Sequence, residues 1–400
     1  MRAYARSVYP RRRARARRLA DWERAFAFCA EALAAQAAGL RPDCVCVSGN
    51  GPSLAALDHA GRAVTLIPWD GPAVRPAGAE RAPSLFLPLL RAFADAQPGA
   101  LARTARLLSS HEWLCFRLGA APVTSLPRPA FGPFYWDETQ CRAFGLDSGK
   151  FAPFVSMASL IGTVSAEGAR RCGGGLLTQG VPIAAGASDF AAALIGTGCL
   201  EPGLVCDRAG SSEGINRCGT GPALQPAIRP GIRCLPHPLE GLFNAGVLIP
   251  RSGALFEAYR RAEGRMRDYE TLLAELIPPL RQTAGSAPPA GDTRLARGRA
   301  VLERMADAVR EAAEHLGAAG MPVTEMRVSG GQGKSRLWNA FKAERTGIRL
   351  ALPELRDGEL AGDAVLALCA LSGEGPAGIR GCAARLIRIE EVYAPGNYQF

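Results

Sequence analysis

Short runs of apolar residues separated by glycine and proline predict strands in the first seventy residues of the chain. The predicted strands cover residues 43–47, 55–58 and 63–68, and Gly61-Arg62 forms the turn between the last two. A further apolar strand over 181–185 lies in the middle of the chain. The first part of the chain is therefore predicted to run as strand, turn and strand.

Apolar residues recur every three or four positions in several other segments, as they do on the buried face of a helix. The segments with this spacing are 21–34, 85–96, 101–108 and 299–316. The last of them ends at Gly317, a residue type that often terminates helices. A strand over 324–328 and a helix over 362–371 follow. A strand–strand–helix pattern thus recurs in both halves, as expected of a duplicated α/β fold.

The length of the chain predicts two domains, because 400 residues exceed what one hydrophobic core usually serves. The natural boundary lies near 180–182, which gives domains over 1–183 and 184–400. Apolar residues make up 48% of the chain, enough to fill two cores. No apolar run approaches the about 20 uninterrupted residues of a membrane span, so no membrane partner is predicted.

The positive charge of the chain does not by itself indicate a nucleic-acid partner. The formal net charge is +10, and a block of arginines occupies residues 11–18. The excess of arginine and alanine is better explained by GC-rich codon usage than by a nucleic-acid surface. A nucleic-acid-associated protein that uses this block stays as a less favoured alternative. The helix predicted over 21–34 stands where a signal peptide would carry its apolar core, so secretion is not expected.

Cysteine and histidine positions argue against a metal site. The twelve cysteines form no Cys-x-x-Cys motif, and His59, His111, His237 and His315 show no ligand spacing. Reduced, buried thiols in a cytoplasmic protein are the better interpretation, and the histidines are expected to be surface or packing residues.

The strongest candidate chemistry lies in two small-residue turns. The 181–185 strand leads into Gly186-Ala-Ser-Asp189, and Gly210-Ser-Ser-Glu-Gly214 follows about twenty residues later. Backbone N–H groups in Gly/Ser turns can hold phosphate oxygens. A carboxylate beside such a turn suits phosphoryl transfer to a hydroxyl, with Asp189 as the base for the alcohol. The alternative is that Asp189 only caps a helix and that the second turn has no ligand.

These turns resemble the FGGY family of carbohydrate kinases, in which a Gly-x-x-Asp turn supplies the catalytic base and a Gly-Thr-Ser turn follows. Other similar segments occur in the family's order, at Val45–Gly51, Leu57–Arg62, Ile67–Asp70, His111–Leu118, Gly162–Val164 and Gly330–Asn339. The resemblance covers roughly residues 20–375. It implies a two-domain, actin-like/RNase H-like α/β ATPase fold with an interdomain cleft, a sugar-binding domain over 1–183 and a nucleotide-binding domain over 184–400.

The resemblance also implies the ligands and the residues that meet them. ATP and Mg²⁺ would be the cofactors, and a sugar or polyol the acceptor. Asp189 would be the base and, with Asn50 and Asp70, would contact the acceptor. The nucleotide would be held by Gly210, Ser211, Ser212, Gly330, Gly331 and Asn339. No metal ligand is assigned, a homodimer is left open, and each of these positions could instead be plain turn chemistry.

The sequence departs from the family pattern in three places. The opening Asp-x-Gly-Thr hairpin has no counterpart before Met1-Arg-Ala-Tyr4, so either the start codon was assigned too late or the protein lacks this phosphate loop. The region 284–298 is shorter than usual. Gly49-Asn-Gly-Pro52 replaces the Gln-Met-His-Gly turn of xylulokinase-like members, so the sugar stays undefined. The alternative function is a catalytically inactive FGGY-like protein that binds a sugar or nucleotide.

Overall fold

The computed structural model describes residues 3–7, 19–49, 51–221, 229–277 and 293–396. Asn50, the arginine block 11–18 and most of the shortened 284–298 region lie outside these residues. The chain divides into two compact units. Unit 1 comprises Met1–Ala192 and Asp363–Cys382, and unit 2 comprises Ala193–Gly362 and Ala383–Phe400. The compact units divide after Ala192. The domain boundary near 180–182 stays a prediction.

Unit 1 carries three small sheets and a set of mostly short helices. Its elements in chain order are α1 (Leu19–Gln36), β1 (Val45–Cys46), β2 (Leu54–Leu57), β3 (Ala63–Ile67), α2 (Leu87–Ala96), α3 (Pro98–Arg103), β4 (Arg106–Ser109), α4 (Ser110–Leu118), β5 (Thr124–Leu126), α5 (Glu138–Ala143), β6 (Phe154–Ser156), β7 (Leu160–Thr163), α6 (Ala166–Cys172), β8 (Pro182–Ala184) and the start of α7 (Asp189–Gly196). The sheets have the strand orders β1-β8-β7, β3-β2-β4 and β5-β6.

The prediction of a helix over 101–108 is wrong in its second half. Helix α3 ends at Arg103, and Leu107 and Leu108 belong to β4, which pairs antiparallel with β2. Both leucines are fully buried. A strand that is buried on both faces gives a continuous apolar run, and a run this short has no period that separates strand from helix.

A late segment of the chain completes unit 1 beside strand β1. Asp363 accepts a hydrogen bond at 3.0 Å from the backbone N–H of Ser48, which lies 315 residues earlier in the chain. The thiol of Cys46 lies 3.8 Å from the other carboxylate oxygen of Asp363. Asp363 is 7% exposed, so both contacts are shielded from water. The position of the β1 turn therefore depends on a residue far along the sequence.

Unit 2 is built on one seven-stranded sheet. Its elements are the end of α7, β9 (Val205–Ala209), β10 (Glu213–Thr220), β11 (Arg233–Pro236), β12 (Leu242–Ile249), α8 (Ser252–Ala262), α9 (Tyr269–Leu276), α10 (Thr293–Gly317), β13 (Glu325–Ser329), α11 (Arg336–Thr346), β14 (Arg349–Pro353), the start of α12 (Gly358–Ser372), the end of α13 (Ile379–Leu386) and β15 (Ile389–Tyr393). The strand order is β11-β12-β10-β9-β13-β14-β15. Strand β13 runs parallel to both of its neighbours, and the other pairs are antiparallel.

Helix α10 confirms the longest helical prediction. Its buried residues follow helical spacing, with Leu302 and Met305 in one apolar cluster and Val309 and Leu316 in another. The first cluster includes side chains from α8 and α9, and the second includes side chains from the sheet. One amphipathic helix therefore joins two parts of the core of unit 2.

Across the described ranges, no helix combines the length and the apolar character needed to cross a membrane. The twelve cysteines are all free, and eight of them are buried. In those same ranges, no group of three or more histidine, cysteine or acidic residues is placed to hold a metal ion.

Candidate functional site

The predicted base, Asp189, is the first residue of α7 and is held by the turn after β1. Its backbone N–H donates to the carbonyl of Gly49 at 2.7 Å, and the N–H of Gly49 donates to Ala187 at 3.1 Å. Ser188, not Asp189, acts as the helix cap, because its hydroxyl accepts from the N–H of Ala191 at 3.4 Å. The carboxylate of Asp189 accepts from the next N–H along the helix at 2.7 Å, and the residue is half-buried.

Gly186 makes this arrangement possible by close approach of two backbones. A Cβ placed on Gly186 would lie 2.0 Å from the carbonyl oxygen of Val47. The chain after β8 thus passes directly against the chain after β1, and only glycine fits there. On its other side the carbonyl of Gly186 accepts a hydrogen bond from Ser125. The path that leads to Asp189 is fixed from both sides.

The buried side chain of His111 packs against the backbone of Gly49. A Cβ on Gly49 would lie 2.0 Å from Nδ1 of His111, so the ring packs flush against the backbone of the turn. The same nitrogen lies 3.1 Å from the hydroxyl of Ser109. His111 and its neighbour Glu112 are both only 5% exposed. Burial lowers the pKa of His111 to about 4, so the imidazole is neutral at physiological pH.

Glu112 ties the β4–α4 junction to strand β5. Its carboxylate accepts from the N–H of Ser109 at 2.7 Å and from the N–H of Ser125 at 2.9 Å. Burial raises the pKa of Glu112 to about 7, although these two N–H groups act in the opposite direction. Since Ser125 also holds Gly186, this carboxylate supports the turn that carries Asp189.

The predicted acceptor contact Asp70 lies on the exposed turn after β3. The N–H of Trp69 donates to Ser53 at 3.1 Å, which fixes the start of this turn. Trp69 is 47% exposed, and its side chain lies 3.4 Å from where a Cβ on Gly51 would be. The turn of Asp70 and the turn that contains Gly49 and Gly51 are therefore neighbours in unit 1. Asn50 lies outside the described residues.

In unit 2, the first predicted nucleotide turn is the tight connection between β9 and β10. Gly210 donates to the carbonyl of Ser212 at 3.1 Å, which closes the loop. Ser211 and Ser212 are exposed, so this part of the turn is accessible to a ligand. The carbonyl of Ser211 accepts from Ala254 in the first turn of α8 at 3.0 Å. The turn is therefore held from behind while its outer edge faces solvent.

The second predicted nucleotide turn follows β13. Gly330 has a positive φ of 97°, and a Cβ there would lie 2.8 Å from the carbonyl of Ala209. Glycine is required at this position for both reasons. A Cβ on Gly331 would meet nothing within 4 Å, so open space lies over this residue.

Asn339 lies behind this turn and not on its surface. It is 1% exposed, and its side-chain N–H donates to the carbonyl of Gly333 at 3.0 Å. Its own position is set by helix α11, which Ser335 caps through the N–H of Trp338 at 3.2 Å. In the described part of the chain, Asn339 is thus placed to support the Gly330–Lys334 backbone.

The structure connects the two predicted nucleotide turns through one side chain. Gln332, on the second turn, donates to the carbonyl of Gly210 on the first turn at 2.9 Å. The same amide nitrogen lies 3.5 Å from the hydroxyl of Ser252, which begins α8. The two turns that carry the glycines expected to hold nucleotide therefore lie next to each other in unit 2.

A buried ionic cluster lies next to the Gly210–Ser212 turn, and it was not predicted from the sequence. The ammonium of Lys342 on α11 donates to the carboxylates of Asp207 on β9 and Glu213 on β10. All three side chains are fully buried. The second oxygen of Glu213 accepts from the hydroxyl of Ser252 at 2.5 Å.

Burial and the mutual interactions of the three groups shift each of their pKa values. Burial raises the pKa of Asp207 to about 8, against the opposing effect of Lys342. Burial disfavours the ionised form of Glu213 as well, but Lys342 and Ser252 outweigh it and lower the pKa of Glu213. Burial likewise works against charge on Lys342, yet the two carboxylates raise the pKa of Lys342.

Comparison with known proteins defines the class of this fold. The structure superposes with a TM-score of 0.73 on a xyloylose kinase from Brucella ovis, at 22% identity over 98% of this chain and 89% of that one. It also superposes with a TM-score of 0.69 on a xylulose kinase from Rhodospirillum rubrum, at 20% identity over 95% and 86%. The two-domain actin-like ATPase fold predicted from the sequence is confirmed.

Sequence comparison finds similarity to the same class of proteins. Residues 274–371 match the model of the FGGY family of carbohydrate kinases, C-terminal domain. A glycerol kinase from Geobacter sp. (strain M21) is 26% identical over 291 residues, which are 64% of this chain and 56% of that protein. The aligned part thus spans little more than half the length of that relative. The sequence match to the FGGY family of carbohydrate kinases thus lies in the C-terminal part of the chain.

Proposed function

We propose that the protein transfers the γ-phosphoryl group of ATP to a hydroxyl of a sugar or polyol, with Asp189 as the general base. The observation that carries the proposal is the position of Asp189. It opens helix α7 as a half-buried carboxylate, its own backbone is fixed by Gly49, and Ser188 takes the capping role that would otherwise explain it. A half-buried carboxylate at the start of a helix can act as the base for a hydroxyl bound beside it.

The residues of this chain would accept the proton of the acceptor hydroxyl and bind the two substrates. The acceptor hydroxyl gives its proton to Asp189 as its oxygen forms a bond to the γ-phosphorus, and the bond to the β-phosphate oxygen breaks to release ADP. Asn50 and Asp70 would bind other hydroxyls of the acceptor. Gly210, Ser211, Ser212, Gly330 and Gly331 would bind the nucleotide through their backbone.

The described residues fit a nucleotide better than they fit a dedicated metal cage. The exposed Ser211 and Ser212 and the open space over Gly331 leave room for phosphate and nucleoside groups. Mg²⁺ usually binds through substrate phosphates, water and one or two carboxylates, and it neutralises phosphate charge when bound. That mode needs no cluster of acidic residues. A cytoplasmic location and a homodimer stay predictions.

The Asp189→Asn variant tests the proposal. ADP release should be measured across acceptors that include xylulose, gluconate and glycerol, the compounds named for similar kinases. Loss of a general base lowers the rate by about 10²–10⁴-fold. A matched control is Asp137→Asn, because Asp137 caps α5 by accepting from Gln140 at 2.7 Å and asparagine caps equally well.

Two outcomes would count against the proposal. Unchanged turnover in Asp189→Asn would remove this residue from the chemistry. Binding of ADP and of a sugar by the wild-type protein, with no ADP release on any acceptor, would favour the inactive FGGY-like binding protein.

A further inference from the structure

The ionic cluster in unit 2 connects to both nucleotide turns without a break. Lys342 bonds to Asp207 and Glu213, which lie on the two strands that flank the Gly210–Ser212 turn. Glu213 directly follows Ser212, so a contact that fixes this carboxylate also fixes the end of the turn. From Glu213 the chain of contacts continues outward through the hydroxyl of Ser252.

Gln332 completes the connection to the second turn. Its amide nitrogen lies within hydrogen-bonding distance of Ser252 and of the carbonyl of Gly210. Gln332 belongs to the Gly330–Lys334 turn, which Asn339 holds from the other side through Gly333. One face of helix α11 therefore serves both turns, since Asn339 and Lys342 are three residues apart and project from the same side.

A buried charge cluster is a costly way to fill a protein core. Replacing buried ions with well-packed apolar residues is often neutral or stabilising, so the cluster is weak evidence for a contribution to stability alone. What an ammonium between two carboxylates does provide is geometry. It fixes the separation of the two strands at the point where they enter the turn, and charge-assisted hydrogen bonds are short and directional.

We propose that Lys342 is a positioning residue for the nucleotide site, which through Glu213, Ser252 and Gln332 sets the Gly210–Ser212 turn against the Gly330–Lys334 turn. The inference rests on the proposed function, because it assigns the two turns to nucleotide. Lys342 itself does not touch the nucleotide. Its effect is on nucleotide affinity, and the acceptor is bound by other residues.

The test compares three variants by hydrogen exchange of the ligand-free protein. Lys342→Met removes the ammonium, and Gln332→Leu removes the outer tether without leaving a charge buried. Arg345→Met is the matched control, because Arg345 lies on the same helix but pairs with Asp307 at 2.9 Å. We expect amide exchange in peptides spanning the two turns to become at least tenfold faster in the first two variants and to stay unchanged in the control.

The second measurement is ADP binding by calorimetry, with KM for ATP and for the acceptor where turnover is found. We expect Lys342→Met and Gln332→Leu to weaken ADP binding by tenfold or more and to raise KM for ATP similarly. The KM for the acceptor should stay within twofold. A merely structural role would move both KM values together and would accelerate exchange throughout the seven-stranded sheet.

The outcomes separate the inference from the proposed function. Wild-type exchange and ADP affinity in Gln332→Leu and in folded Lys342→Met would overturn the inference. If Lys342→Met does not fold, Gln332→Leu together with Ser252→Ala decides the matter. If the wild-type protein binds no ADP, the proposed function fails and the assignment to nucleotide fails with it, while the exchange data still show whether Lys342 orders the turns.

Discussion

Adding one methyl group at Gly186 should displace Asp189, the proposed base, without contacting it. In Gly186→Ala the new Cβ would stand 2.0 Å from the carbonyl oxygen of Val47 and 2.8 Å from its carbonyl carbon. Real Cβ atoms essentially never come within 3.0 Å of such atoms, so the two backbones must separate by about 1 Å. The blocking atoms belong to the main chain and cannot rotate away as a side chain would.

The size of the effect follows from how little holds these strands together. Strands β1 and β8 share two paired positions, and one more pairing joins Gly49 to Ser188. Overpacking typically costs about 1–3 kcal/mol, and we expect Gly186→Ala at the upper end because the contact is backbone to backbone. If Asp189 is the base, a displacement of this size would also lower turnover by about 100-fold.

Tryptophan fluorescence during urea unfolding reports mainly on unit 1. Four of the five tryptophans belong to unit 1, and one of them, Trp113, is 3% exposed on helix α4, which also carries His111. The matched control is Gly132→Ala, because Gly132 lies in the same unit and a Cβ there would meet nothing within 4 Å. The control should stay within about 0.5 kcal/mol of wild type. Equal urea midpoints for Gly186→Ala, Gly132→Ala and wild type would refute the argument from close approach.

Two further predictions concern titration in unit 1 and capping in unit 2. The raised pKa of Glu112 contributes to the free energy of unfolding below pH 4.5, and this contribution is lost as pH rises to about 7. The lowered pKa of His111 contributes above pH 6.5, and this contribution is lost as pH falls to about 4. Between pH 4.5 and 6.5 these two pH dependences nearly cancel in the wild-type protein. In Glu112→Gln only the His111 contribution remains, so the free energy of unfolding should rise by about 1.4 kcal/mol per pH unit in this range. Urea unfolding that gives the same free energy at each pH would contradict this. Ser335→Ala should lose about 1 kcal/mol in urea unfolding because the N–H of Trp338 loses its cap, and Ser335→Thr should lose less; equal losses would show that the cap is not the cause.

Periodic segments and small-residue turns could be predicted from the sequence because their signals are local. Helix α10 shows seven apolar residues at helical spacing, and the Gly186–Asp189 turn follows a short apolar strand. Leu107 and Leu108 could not be assigned in the same way, because pairing with β2 decides that they form a strand. The return of residues 363–382 to unit 1 is likewise set by contacts between distant parts of the chain.

The supporting residues of the site were missed for a different reason. Lys342 looks like an ordinary solvated lysine on a helix, and only the fold shows that it is fully buried between Asp207 and Glu213. A weak signal did exist, since Lys342 is one of only three lysines in a chain that otherwise uses arginine. A compact ammonium fits between two carboxylates where a planar guanidinium would need more room. His111 has no comparable signal, since its contact with the backbone of Gly49 arises only on folding.

The hydrogen bond between Ser48 and Asp363 has a consequence for how the protein is made. Ribosomes add about 5–20 residues per second, so the carboxylate that receives the Ser48 N–H is synthesised about 16–60 s after its donor. During that interval the ribosome synthesises all the strands of unit 2 except β15, and the N–H of Ser48 cannot yet bond to Asp363. Unit 1 is thus started first and finished late, and no single cut in the gene would release it as a complete fragment.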